Sequence, residues 1–151
     1  MYVATNGMDS WSVKQDDSCK TILPVHLATM HTARVVFDGG CVPNPGRGYG
    51  SYTIELDGVL VDTVRLDFSD QGSFTCNRAE WATLLAALTR LQELIGAGSD
   101  YDIEVRGDSQ IVINGCTGTW KVRKPQLQAL AKEVWKKQYS FAKIRFTWWG
   151  R

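Results

Sequence analysis

The chain has 151 residues and a mass of 16.9 kDa, with 44% hydrophobic and 22% charged residues, the balance of an ordinary globular domain. That composition excludes a largely disordered chain, a collagen-like fibre and a coiled coil, and no apolar run approaches the roughly 20 residues that span a bilayer. The net charge of +1 conceals a division: from Thr119 onward nine basic residues face one acid, a local +8, while the first 118 residues carry −7.

Residues 1–31 are polar and aperiodic, broken by Asp16-Asp17-Ser18 and Pro24, and read as a flexible extension preceding a domain over 32–151. The opening MYVATNGMDSW lacks the basic start and apolar stretch of a secretory signal, so a cytoplasmic location is expected. Cys19, Cys41, Cys76 and Cys116 form no CxxC pair, which argues against a zinc knuckle and for reduced thiols. RVVFDGG predicts a first strand that Asp38 ends and two glycines stop. CVPNPGRGYG predicts a loop, and Ser51–Leu56 and Val59–Phe68 predict a hairpin joined at Asp57-Gly58.

From Asn77 to Ile95 the pattern turns helical, with Leu84, Leu88, Leu91 and Ile95 on one stripe and Gly96 as the stop. YDIEVRGD predicts a strand, SQIVING a short helix, and Thr117–Lys124 an irregular basic connection. Pro125 opens a second amphipathic helix, with Leu127, Leu130, Val134 and Trp135 inward. AKIRFTWW predicts the closing strand, with Trp148 and Trp149 in its core. The order β-β-β-α-β-α-α-β implies an α/β fold, a mixed five-stranded sheet with helices packed on it.

Three acids fall at element boundaries. Taken singly, each has a local explanation: Asp38 as a turn residue, Glu80 closing a capping box begun by Asn77, and Asp108 as an N-cap. Taken together they point elsewhere. Glu80 precedes the buried stripe and so faces the sheet, while Asp38 and Asp108 close strands that would lie side by side if parallel. Converging carboxylates repel one another unless a cation lies between them. An all-oxygen donor set suits Mg²⁺ or Mn²⁺. A basic segment nearby suggests a polyanion, hence phosphate-ester chemistry on nucleic acid.

From about Ala33 to its end the chain resembles ribonuclease H of the type 1 class. The matching pieces are FDGGCVPNPGRGYG, CNRAEWATLLAAL, EVRGDSQIVIN and IRFTWW, in the same order and at the same spacing. The resemblance implies a ribonuclease H-like fold and hydrolysis of the RNA strand of RNA–DNA hybrids. Two divalent metals, Mg²⁺ or Mn²⁺, would be used, and the ends left would be 3′-hydroxyl and 5′-phosphate. It assigns Asp38, Glu80 and Asp108 to the metals, and Asn44, Asn77 and Gln110 to minor-groove contacts with the hybrid. It also makes Gly39 and Gly40 points of close backbone approach, and Trp120, Lys121, Arg123 and Lys124 contacts to DNA-strand phosphates.

The family pattern continues past the closing strand into a last helix that begins with a fourth carboxylate; the sequence read here stops at Gly150-Arg151. On that basis the expectation is reduced activity, with a catalytically weak or inactive nucleic-acid-binding module as the alternative. Self-association through the uncovered closing strand, as a homodimer, is also expected.

Overall fold

A computed structural model describes residues 30–98 and 100–150. The expected extension lies outside them apart from Met30 and His31, and so does Cys19. Five strands and three helices follow in order: β1 (His31–Val42), β2 (Arg47–Leu56), β3 (Val59–Asp67), α1 (Cys76–Ile95), β4 (Tyr101–Gly107), α2 (Gln110–Thr117), α3 (Pro125–Ser140) and β5 (Ile144–Trp148). They form one mixed sheet in the order β3-β2-β1-β4-β5. β1 pairs antiparallel with β2 and parallel with β4, and β4 pairs parallel with β5. No helix among the described residues is long and apolar enough to cross a membrane.

Alternation along the strands decides which face is covered. Ala33, Val35 and Phe37 of β1 and Ile103 and Val105 of β4 are buried, and they meet Leu84, Leu88 and Leu91 of α1. Each such leucine contributes about 1.5–3 kcal/mol by leaving water. Leu127, Ala131 and Val134 of α3 complete the layer. At the β2–β3 hairpin, Asp57 and Gly58 both have positive φ, 51° and 79°. That is the turn which matches the strands' right-handed twist.

The opposite face carries charge. Glu104, 13% exposed, accepts hydrogen bonds from Arg34 Nε (3.3 Å) and Thr147 Oγ1 (3.2 Å) and pairs with Arg106 Nε at 3.1 Å. Burial acts to raise its pKa, but the Arg106 guanidinium, Thr147 and Arg34 outweigh that and hold it below the ordinary carboxylate value. A lowered folded-state pKa stabilises the fold above the unfolded pKa and loses that contribution as pH falls through the folded one. Glu104→Gln should therefore cost about 1–3 kcal/mol at neutral pH, the worth of charged hydrogen bonds. In urea melts the gap from wild type should begin to narrow as the pH falls past the ordinary glutamate value of about 4.3 and close only below the lowered folded-state pKa.

Five expectations are corrected. β1 does not end at Asp38: it runs through Gly39 and Gly40 to Val42, because Arg47–Gly50 pair with it residue for residue. The loop thus shrinks to residues 43–46, and β2 begins at Arg47 rather than Ser51. The cap of α1 is Thr75, whose hydroxyl oxygen accepts from the Arg78 N–H at 3.1 Å, and Asn77 lies inside the first turn. The cap of α2 is Ser109 rather than Asp108, its hydroxyl oxygen accepting from the Val112 N–H at 3.3 Å. Trp148 and Trp149 are not core: they are 49% and 58% exposed. Trp148 ends an edge strand and donates its indole N–H to the Asp108 carbonyl (3.1 Å), while the Arg106 guanidinium lies over the Trp149 ring at 5.1 Å.

Candidate active site

The parallel pairing of β1 with β4 ends at Phe37 and Gly107. Asp38 comes next on β1, which continues to Val42, and Asp108 directly follows the last residue of β4, so the two lie side by side where the parallel pairing stops. Glu80 is the fifth residue of α1, one helical turn before Leu84, and the stripe that buries Leu84 and Leu88 turns Glu80 toward the sheet. One carboxylate oxygen from each of the three lies within 4.8 Å of the others, and all three residues are half-buried.

Gly39 makes that approach possible. A β-carbon there would stand 2.7 Å from the Glu80 nitrogen and 2.8 Å from the Ala79 carbonyl carbon and oxygen. Helix backbone occupies the place of a side chain, and the first turn of α1 thereby rests directly on β1. Gly40 is likewise in the strand rather than in a turn, with the Tyr49 ring lying over its α-carbon.

Three oxygen donors at this separation suit a hard divalent cation, and among the described residues no nitrogen or sulfur ligand belongs to the cluster. Asp38 and Asp108 also line an open cleft with Val36, Phe37, Gly107 and Trp149.

The predicted amide residues surround the same edge. Asn77 is half-buried in the first turn of α1, Gln110 is exposed at the start of α2, and Asn44 is exposed in the β1–β2 turn. A pair of backbone hydrogen bonds between Gly46 and Phe74, at 2.7 and 2.8 Å, ties that turn to the segment leading into α1. Trp120, Lys121, Arg123 and Lys124 are exposed on the α2–α3 connection, after the C-terminus of α2. There Trp120 and Lys121 line a second cleft with Trp135 and Tyr139.

Sequence reasoning missed two residues at this site and one contact outside it. Trp149 in the cleft and Trp148 on the Asp108 carbonyl carry no local signal, since only the β4–β5 register brings them there. The Cys41 and Cys76 sulfurs lie 3.0 Å apart although the residues are 35 positions apart in sequence.

Comparison with known proteins agrees with this geometry. Residues 37–151 match the family model described as "Reverse transcriptase-like", and the chain belongs to that family, with the fold of ribonuclease H. Over 97 residues it is 38% identical to ribonuclease HI of Halobacterium salinarum, covering 61% of this chain and 43% of that protein. The chain thus spans less than half the length of that relative. The crystal structure of ribonuclease H1 from the same archaeon superposes with a TM-score of 0.70 at 30% identity, over 80% of this chain and 86% of that one. LC11-RNase H1 in complex with RNA/DNA hybrid gives 0.70 at 25% identity, over 79% and 86%.

Proposed function

We propose that this domain is a divalent-metal-dependent endoribonuclease that hydrolyses the RNA strand of RNA–DNA hybrids, leaving 3′-hydroxyl and 5′-phosphate ends. The observation that carries the reading is the trio Asp38, Glu80 and Asp108, converging within 4.8 Å where the parallel pairing of β1 with β4 stops. Support comes from a fold shared with a protein whose structure holds an RNA/DNA hybrid.

The three carboxylates would hold Mg²⁺ or Mn²⁺, which when bound supplies Lewis-acid activation of the phosphodiester and of the attacking water. The chain's own residues place the substrate. Asn44, Asn77 and Gln110 offer amide groups that both donate and accept, which suits 2′-hydroxyls and base edges in a wide minor groove. Gly39 lets α1 rest on β1 and so brings Glu80 to the site, while Gly40 takes the Tyr49 ring. Trp120, Lys121, Arg123 and Lys124 meet phosphates of the DNA strand at a distance from the acids.

The test is cleavage of a labelled hybrid with Mg²⁺ or Mn²⁺, set beside duplex DNA and beside binding in EDTA. Hybrid cleavage that EDTA stops, with duplex DNA uncut, is the expected result; binding without cleavage would replace the enzyme reading by a binding module. Changing Lys121, Arg123 and Lys124 together to Ala should weaken hybrid binding and flatten its salt dependence. Each lost phosphate contact removes roughly 0.7–0.9 from the log–log slope. An unchanged slope would place those charges away from the nucleic acid.

A further inference from the structure

Cys41 and Cys76 meet in a small core of their own beside the candidate metal site. Cys41 is buried with Phe68, Phe74 and Ala79, and Cys76 packs on the edge of that cluster. Their sulfurs are 3.0 Å apart, short of a bond of about 2.05 Å by roughly 1 Å. The two residues frame the acids: Cys41 lies three positions beyond Asp38 on β1, and Cys76 lies one helical turn before Glu80 on α1. Cys76 is half-exposed and Cys41 buried, an accessible thiol backed by one already in contact.

We propose that Cys41 and Cys76 form a reversible disulfide that switches the adjoining acidic site off. The oxidant is a small-molecule disulfide such as oxidised glutathione. The Cys76 thiolate attacks one of its sulfurs, forming a mixed disulfide and expelling one glutathione thiolate. The Cys41 thiolate then attacks the Cys76 sulfur and expels the second. Two protein thiols are oxidised, one glutathione disulfide is reduced to two thiols, and the two protons pass to the departing thiolates. Closing the bond draws β1 and the first turn of α1 together by up to about 1 Å, and a displacement of that size is enough to cost a catalytic site about 10²-fold. Cys116 is a built-in control: it is buried in the main core, apart from the cluster that holds Cys41 and Cys76.

The disulfide itself stands apart from the ribonuclease reading; its effect on cleavage rests on that reading. The test treats the full chain with oxidised glutathione and then dithiothreitol, following cross-linked peptides by mass spectrometry, Mn²⁺ binding by calorimetry, and hybrid cleavage. Expected are a Cys41–Cys76 cross-link, weaker Mn²⁺ binding and at least a tenfold loss of cleavage, all reversed by the reductant. Cys76→Ser should cleave normally and ignore the oxidant, and Cys41→Ala, which keeps the site apolar, should stop at the mixed disulfide. A stable mixed disulfide in the wild type, pairing through Cys19 or Cys116, or a cross-link that leaves Mn²⁺ binding unchanged would each overturn the switch. A reduced protein that neither binds Mn²⁺ nor cleaves would overturn the ribonuclease reading and the switch together, whatever its cross-links.

Discussion

Asp38→Asn and Asp108→Asn should each remove Mg²⁺-dependent hybrid cleavage, by roughly 10³-fold or more, while the protein stays folded. Losing even one donor to a developing charge costs a hydrolase about 10²–10³, and losing an outer-sphere partner of a metal about 10–100. Removing a ligand's charge from a three-carboxylate cluster should exceed both. Asn matches Asp in shape, and both acids are half-buried, so packing should change little. The folded state supplies an independent readout. A cation that binds only the native protein stabilises it by about 2.7 kcal/mol at a hundred times its dissociation constant. Mg²⁺ should therefore raise the wild-type melting temperature and leave that of either variant nearly unmoved. A variant that kept full cleavage and the full metal-induced shift would take that acid out of the site.

Gly39→Ala should damage both stability and activity. Its new methyl group would fall 2.7–2.8 Å from backbone atoms of Ala79 and Glu80. Backbone within a helix cannot turn aside as a side chain can, so the whole first turn of α1 must lift from β1. Overpacking of this kind costs typically 1–3 kcal/mol, or roughly 4 °C or more of melting temperature for a domain of this size. The same movement carries Glu80 away from Asp38, so cleavage should fall about tenfold or further. Gly58→Ala is the fitting comparison. That glycine has φ of +79° and open space around its α-carbon, so the substitution should cost about 1 kcal/mol of backbone strain with no loss of cleavage. If Gly39→Ala matched wild type in both melting and cleavage, the close seating of the helix would not be what positions Glu80.

Much of this molecule could be read along the chain because the rules involved are local. Alternating burial in β1 and β4, the four-residue rhythm of Leu84 and Leu88, and the Asp57-Gly58 turn each depend on a few neighbouring residues and a fixed backbone period. The same rules point to the three acids together, since two directly follow buried strand segments and one lies a helical turn before a buried stripe. The local rules also had rivals, and tertiary structure chose among them. Asn77 and Asp108 are as good caps by composition as Thr75 and Ser109, and only the point where each strand releases the chain decides between them. Gly39 and Gly40 look like a strand's end until Gly50 and Tyr49 are found opposite them. Pairing hydrogen bonds across β1 and β2 then outweigh the entropy that glycine loses in a strand. The exposure of Trp148 and Trp149, the cleft beside Asp38 and Asp108, and the contact of Cys41 with Cys76 have no signature in sequence spacing. They are distances between elements, and such distances exist only once the sheet has closed and α1 has settled on Gly39.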